Sequence, residues 1–231
     1  MKSQGKFYSF TIIELLIVIS ILAIIASLLS PNYKNLIQKS HQLQCKTVLK
    51  TYQMAHELYA HDNEGWMVPI WRTVPYSPYH WKRRFWIGHE GFLPYLGMDE
   101  SEVDFPDELH CPTFLESKTG WHSYGINKDP VGWVRDHRMN FNLISQPSKK
   151  VYMAEGTDFH LQKRYADYKN RWDVYGEGRL WSVAFRHEEG CNGIFADGHV
   201  EYRSKEEWFF PNDADARDQL WKINIEAFSF K

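Results

Sequence analysis

Twenty consecutive residues near the start of the chain, positions 10–29, are apolar or small and neutral except for a single carboxylate, Glu14. An α-helix rises about 1.5 Å per residue, so this run reaches about 30 Å, the thickness of one bilayer hydrocarbon core. A charged side chain costs about 2.5–3.5 kcal/mol at mid-bilayer and less near the interface. Because an anchor alone does not need that cost, Glu14 indicates a further function.

Three interpretations of this run compete. Lys2 and Lys6 provide the basic start of a secretory signal, but the run exceeds the usual length of about 7–15 residues and no Ala-x-Ala cleavage site follows it. A plain transmembrane anchor accounts for everything except Glu14. The third interpretation is a processed anchor in which the carboxylate has its own task.

The residues Ser9-Phe10-Thr11-Ile12-Ile13-Glu14-Leu15-Leu16 resemble the processing site of type IV prepilins. The resemblance implies that a prepilin peptidase cuts between Ser9 and Phe10 and methylates Phe10. It also implies that Glu14 pairs with the free N-terminus of a neighbouring subunit during assembly, where two charges that are costly in lipid become tolerable together. Ser9 departs from the family, which usually has Gly before the cut. Pro31 resembles the proline that bends pilin helices.

The pattern along the chain predicts four segments: a leader at 1–9, a transmembrane helix half at 10–30, an amphipathic helix half at 31–62 and a β-rich head at 63–231. Helical spacing predicts that apolar residues of the second segment face the head. These are Tyr33, Leu36, Ile37, Leu43, Val48, Tyr52, Ala55 and Leu58. The turn cluster at 62–65 predicts the end of the helix.

Two β-prone runs occupy 151–154 and 180–185, and Asp197-Gly198 lies between β-prone segments in 193–202. Asp-Gly in that position predicts a hairpin with positive φ at both residues. The expected fold class is α+β and pilin-like, with a long N-terminal helix packed on an antiparallel sheet that carries large loops.

A second segment resembles the H-x9-DG signature of a group of prepilin-type proteins. In it, nine residues separate His187 from Asp197-Gly198. Further landmarks of that group are Cys111-Pro112, Ser123–Asn127, Pro147–Lys150 and Glu155. The resemblance therefore covers both ends of the chain and much of the head. The resemblance indicates the architecture of the protein more than its biochemical mechanism.

Two interpretations of the second motif stay open. In the structural one, Asp197 bonds its own turn backbone, His199 shares its strand face, and His187 reaches across the sheet to turn carbonyls. In the other, His187, Asp197 and His199 bind a metal. The structural one is favoured, and no metal site is predicted. Asp213, Asp215 and Asp218 are weaker calcium candidates, because no twelve-residue calcium loop surrounds them.

The cysteines Cys45, Cys111 and Cys191 favour one disulfide and one free thiol in an oxidising compartment. Cys111–Cys191 is the favoured pair, with three reduced thiols as the alternative. Their spacing does not match the paired ligands of a structural zinc site.

The sequence thus predicts a filament subunit of a type II secretion pseudopilus or a type IV pilus. Lys2 and Lys6 place the N-terminus in the cytoplasm and the head in the periplasm, with one pass through the bacterial inner membrane. The expected partners are the prepilin peptidase, other pilin-like subunits and an inner-membrane assembly platform. The net charge of −2 gives no sign of nucleic-acid binding.

Other function classes are less favoured. No nucleophile elbow, zinc-protease motif or phosphate loop is present, so no enzyme and no cofactor are predicted. The alternative function is a membrane-anchored module that binds carbohydrate or a surface through exposed Trp66, Trp71 or Trp133.

Overall fold

The computed structural model describes residues 11–72, 85–102, 104–117, 122–129, 136–162, 182–209 and 213–229. The leader and the cleavage pair Ser9–Phe10 lie outside the described residues. The chain divides into two compact units, Met1–Lys39 and Ser40–Lys231.

One helix, α1 (Ile12–Asp62), runs through position 31 without interruption. The large apolar side chains from Ile12 to Ile25 are exposed by 45–79%. Across the described residues, no helix combines the length and hydropathy needed to cross a bilayer. α1 ends within the predicted turn cluster, where Gly65 has φ +84° and donates its N–H to the Ala60 carbonyl.

The C-terminal part of α1 buries one face. Val48, Tyr52 and Ala55 belong to the predicted stripe and are buried. Leu43 and Leu58 were predicted on the same face but are exposed, because the buried face follows a different set of helical positions. That face consists of Cys45, Val48, Leu49, Tyr52, Ala55, His56, Tyr59 and Ala60.

The remaining elements are short. The helices are α2 (Pro112–Ser117), α3 (Lys205–Phe209) and α4 (Ala214–Trp221). The strands are β1 (Tyr124–Asn127), β2 (Arg138–Met139), β3 (Val151–Glu155), β4 (His160–Leu161), β5 (Gly190–Phe195), β6 (Val200–Ser204) and β7 (Phe228–Ser229).

A five-stranded sheet has the order β4-β1-β3-β5-β6, and β2 pairs with β7 in a small second sheet. The fold is α+β, as predicted, with a layout consistent with a pilin-like fold. The larger sheet is mixed rather than purely antiparallel, because β4 runs parallel to β1. The predicted run at 180–185 contributes only an isolated bridge from Val183 to Gly156 among its described residues.

Two hydrophobic cores bury the sheet. The first contains the buried face of α1 together with Tyr124, Tyr152 and Ile194. The second contains Val151, Ala154, Cys191 and Phe195 and is closed by Trp208 and Trp221, whose rings lie 5.9 Å apart. Alternating side chains along a strand point to opposite faces, so neighbouring residues of β5 enter different cores.

The predicted hairpin joins β5 to β6, but its turn differs from the expectation. Only Gly198 of the Asp197-Gly198 pair has positive φ, at +88°. The Gly198 N–H donates to the Phe195 carbonyl, and Phe195 donates to the His199 carbonyl, as in a type I turn followed by a glycine bulge. A Cβ at Gly198 would lie 2.3 Å from the Gln53 amide and 2.7 Å from the Glu57 carboxylate, so this turn packs directly on α1.

His56 is a neutral histidine inside the first core. Its ring stacks on Phe92, with the ring centroids 4.4 Å apart. It is tilted against the Trp86 ring and meets the Tyr152 ring edge-on. Neither ring nitrogen has a hydrogen-bond partner within the described part of the chain. Burial lowers the pKa of His56 to about 3.

We predict that His56→Phe reduces the loss of stability in acid. An unfolded histidine has a pKa of about 6.5. Between that value and the folded pKa of about 3, the unfolded state binds a proton that the folded state does not, so stability falls as pH falls. Removing one such group should reduce the slope of the free energy of unfolding against pH by about 1.4 kcal/mol per pH unit near pH 4–6.

Urea unfolding of the detergent-solubilised chain, followed by tryptophan fluorescence at several pH values, measures this slope. The control is Met54→Leu on the same helix, at a side chain that is 61% exposed and has no titratable group, so it should keep the wild-type slope. An unchanged slope in His56→Phe would contradict the prediction.

Candidate functional site

The described N-terminal segment begins with a capping box. The Thr11 hydroxyl accepts the Glu14 N–H at 3.2 Å, and the Glu14 carboxylate accepts the Thr11 N–H at 2.9 Å and the Thr11 hydroxyl at 2.9 Å. This reciprocal pattern satisfies backbone donors that the first turn of a helix leaves without partners. The exposed carboxylate is therefore held at the N-terminus of α1, where the helix dipole favours negative charge.

A second site lies inside the unit Ser40–Lys231. α1 supplies Cys45, the residue before α2 is Cys111, β3 ends at Glu155, and His187 precedes β5. All four side chains are buried, with at most 2% of any residue exposed. We call this set the buried cluster.

Short distances connect the members of the buried cluster. His187 Nε2 lies 3.7 Å from Cys111 Sγ and 3.2 Å from Glu155 Oε2. The Cys45 and Cys111 sulfurs and a His187 ring nitrogen all lie within 4.8 Å of one another. Glu155 Oε1 accepts the Asn192 side-chain amide at 2.7 Å and the Asn192 backbone N–H at 3.3 Å.

The close approach shifts the titration of these groups. The Cys45 neighbour, followed by His187, lowers the pKa of the Cys111 thiol against the effect of burial, and the same contact raises the pKa of Cys45. Burial raises the pKa of the Glu155 carboxyl. Burial alone would lower the pKa of His187, but hydrogen bonding to Cys111 and Glu155 raises it to about 9.

The expected Cys111–Cys191 disulfide does not form in the structure, in which all three cysteines are free and buried. Cys111 faces the first core beside Cys45, whereas Cys191 lies in the second core. The sheet separates the two cores, which explains why this pair does not meet. Sequence spacing gave no sign that α1 would deliver Cys45 to Cys111.

A tight turn positions His187 for this role. His187 and Gly190 exchange backbone hydrogen bonds, and the two residues between them, Glu188 and Glu189, have φ of +46° and +61°. The Tyr202 hydroxyl donates to the His187 and Glu188 carbonyls at 2.9 and 3.0 Å. The ring of His187 therefore enters the buried cluster rather than reaching turn carbonyls as expected.

The other motif residues have structural contacts. Asp197 Oδ1 accepts the His199 N–H at 3.2 Å and lies 2.6 Å from His199 Nδ1, so it bonds its own turn as expected. The His199 ring stacks on Phe195 at 4.3 Å. The structure thus separates His187 from Asp197 and His199, which lie at opposite ends of β5.

Two of the three calcium candidates are engaged elsewhere. Asp213 caps α4 by accepting the N–H groups of Asp215 and Ala216, and Asp218 pairs with Lys222 at 2.5 Å. Among the described residues, the side chains whose ligand atoms lie close enough together to hold a metal ion are instead Cys45, Cys111 and His187.

The tryptophans considered for carbohydrate contact are partly covered. Trp66 is half-buried under the Arg138 guanidinium at 5.7 Å, and Trp71 is half-buried and stacks on Phe85 at 6.3 Å. Trp133 lies outside the described residues.

Comparison with known proteins gives one match. Residues 6–30 fit the family model of the prokaryotic N-terminal methylation motif. The match supports a type IV pilin-like protein. No curated protein and no solved structure matches the chain.

We predict that replacing Glu188 and Glu189 by Asn and Gly stabilises the protein. Each L-residue held in the left-handed region costs about 1–2 kcal/mol, and Asn-Gly adopts such a turn readily. The double variant should therefore raise the free energy of unfolding by about 1–2 kcal/mol. Urea unfolding measures the change.

The matched control for this prediction is the double variant Glu188→Gln and Glu189→Gln. It removes the same two charges and keeps the strained backbone, so it should unfold near the wild-type midpoint. Equal stabilisation of both double variants would assign the effect to charge and overturn the strain argument.

Proposed function

We propose that this chain is a filament-forming, pilin-like subunit of a type II secretion pseudopilus or a type IV pilus. The observation that carries the proposal is the N-terminal methylation motif at residues 6–30, with Glu14 placed in it. A prepilin peptidase cuts between Ser9 and Phe10 and methylates Phe10. The mature subunit then assembles with other pilin-like subunits through an inner-membrane platform.

Before assembly, the segment 10–30 anchors the protein in the inner membrane as a single pass. Side chains are described for residues 11–27 of that segment, and their large apolar members are exposed, so this part of α1 lacks apolar neighbours of its own. Lipid supplies them first, and the helices of neighbouring subunits supply them in the filament. The basic residues Lys2 and Lys6 keep the N-terminus cytoplasmic and the head periplasmic.

Glu14 has two roles in this proposal. In the precursor its carboxylate caps the first turn of α1 through Thr11. After cleavage, the new α-amino group of Phe10 offers a positive partner, and pairing between subunits compensates both charges in an apolar setting. The pair fixes the register of neighbouring helices, as buried polar groups do in coiled coils.

The described head is consistent with a structural subunit. The motif at residues 6–30 marks pilin-like subunits, which are typically not enzymes. In the buried cluster, Cys45, Cys111 and Glu155 are fully inaccessible, whereas a catalytic thiol needs access to its substrate. The alternative of carbohydrate binding finds no support in Trp66 or Trp71, which already contact Arg138 and Phe85.

We predict that the mature protein starts at Phe10. Intact-mass spectrometry of protein from its native host should give the mass of residues 10–231 plus one methyl group. Inactivating the host's prepilin peptidase should restore the mass of the full chain. A Met1 start in the peptidase-positive host would remove the processing step and with it the proposed function.

We predict that Glu14→Gln is cut normally but is lost from filaments. Glutamine keeps the capping-box geometry and removes only the charge. Filaments sheared from cells that co-express wild-type and variant subunits, quantified by mass spectrometry, should contain the variant at a small fraction of its membrane level.

The control for Glu14→Gln is Glu57→Gln, which removes a carboxylate from an exposed position further along α1 and should enter filaments normally. Normal incorporation of Glu14→Gln would show that capping, and not charge pairing, is the role of this residue.

A further inference from the structure

We propose that Cys45, Cys111 and His187 bind Zn²⁺ or a similar divalent metal, with Glu155, which lies beside His187, as the fourth donor. The donors come from α1, the residue before α2, the end of β3 and the turn before β5. Such a site joins four segments of the head, including α1 and β3. It goes beyond the proposed function and does not depend on filament assembly.

Two of the observed donor-atom distances match the edges of a zinc tetrahedron. With Zn–S of about 2.3 Å and Zn–N and Zn–O of about 2.0–2.1 Å, a sulfur–nitrogen edge measures about 3.5 Å and a nitrogen–oxygen edge about 3.3 Å. The observed separations are 3.7 Å from Cys111 Sγ to His187 Nε2 and 3.2 Å from His187 Nε2 to Glu155 Oε2. Cys45 Sγ lies within 4.8 Å of both the Cys111 sulfur and a His187 ring nitrogen.

Glu155 is oriented as a ligand. Asn192 holds one carboxylate oxygen, Oε1, through its side chain and its backbone N–H. The other oxygen, Oε2, is buried and lies 3.2 Å from His187 Nε2, which also lies 3.7 Å from Cys111 Sγ. Because Nε2 carries at most one proton, it cannot fully serve both the sulfur and the carboxylate, whereas a metal ion between the donors engages all of them. Asn192 then acts as the outer-shell partner that orients a first-shell carboxylate.

Charge and access indicate a structural site. Two thiolates and one carboxylate around Zn²⁺ leave one net negative charge. The Arg186 guanidinium, which donates to the Ser123 and Gly156 carbonyls at 3.1 and 2.7 Å, supplies a compensating positive charge nearby. With four protein donors and no exposed ligand, the site has no open position for a substrate, as in structural zinc sites.

The competing use of these thiols is a Cys45–Cys111 disulfide, which the oxidising periplasm permits. A disulfide consumes the two sulfurs and leaves the buried His187–Glu155 pair, 3.2 Å apart, beside it without a shared function. The imidazole nitrogen within 4.8 Å of both sulfurs, with a buried carboxylate beside it, therefore favours the metal.

The test is metal analysis of the full-length chain, purified in mild detergent without chelators. We expect about one zinc per chain by inductively coupled plasma mass spectrometry. After removal of the metal and titration with Co²⁺, we expect thiolate-to-cobalt charge-transfer absorption and the ligand-field bands of a tetrahedral site.

Variants assign the ligands. Cys45→Ser and Cys111→Ser should each abolish stoichiometric binding, and Asn192→Ala should weaken Co²⁺ binding by about 10–100-fold as a lost outer-shell partner. The matched control is Cys191→Ser, a buried cysteine in the second core, which should keep full stoichiometry. His187→Cys keeps a donor, so this variant should still bind Co²⁺ with stronger charge-transfer absorption.

Each remaining outcome opposes the proposal. A wild-type chain with three reactive thiols and no bound zinc or cobalt overturns it, and so does a Cys45–Cys111 disulfide found by mass spectrometry in protein purified without reductant. Loss of metal from Cys191→Ser, or an unchanged cobalt spectrum in His187→Cys, would show that the ligands are others. Should the serine variants fail to fold, the His187→Cys spectrum still decides.

Discussion

The packing of one face of α1 against the sheet is the contact on which the described head depends. The Tyr52 hydroxyl donates to the Leu109 carbonyl at 2.9 Å, and its ring meets Trp86 and Tyr124. Polar groups enclosed by this packing must find partners there, because water cannot reach them. The buried cluster is the place where that requirement is most demanding, since two thiols, a carboxylate and an imidazole share one enclosed volume.

α1 serves two environments along its length. Between Ile12 and Ile25 its large side chains are exposed, whereas from Cys45 to Ala60 one face is closed by the first core. The sequence already separates these regions, because the first is apolar all round and the second alternates apolar with charged residues. This separation is consistent with the proposed subunit. Lipid or neighbouring helices would cover the N-terminal part of α1, whereas the head already covers one face of its C-terminal part.

Local patterns predicted the continuous elements well and the long-range contacts poorly. The end of α1, the strand at 151–155 and the hairpin around Gly198 follow from helical period, β-propensity and turn chemistry. The prediction that Leu43 and Leu58 face the head was wrong, because tertiary packing selects which face of the helix is buried. The meeting of Cys45 with Cys111 depends on how a helix lies across a sheet, which residue spacing does not encode. The strained Glu188-Glu189 turn carries no Gly or Asn signal and was missed for that reason.

The spacing between His187 and Asp197-Gly198 has a physical explanation in β5. Two turn residues follow His187, six residues form the strand from Gly190 to Phe195, and Ala196 leads into Asp197-Gly198. The histidine end of this strand enters the buried cluster, and the glycine end packs against Gln53 and Glu57 of α1. Both ends of β5 are thus fixed to other parts of the head, so the number of residues between them is fixed as well. Inserting or deleting one residue would turn every side chain of the strand to the opposite core. Asn192 would then leave Glu155 and Cys191 would take its place, so the number of residues between His187 and Asp197 sets the register of β5.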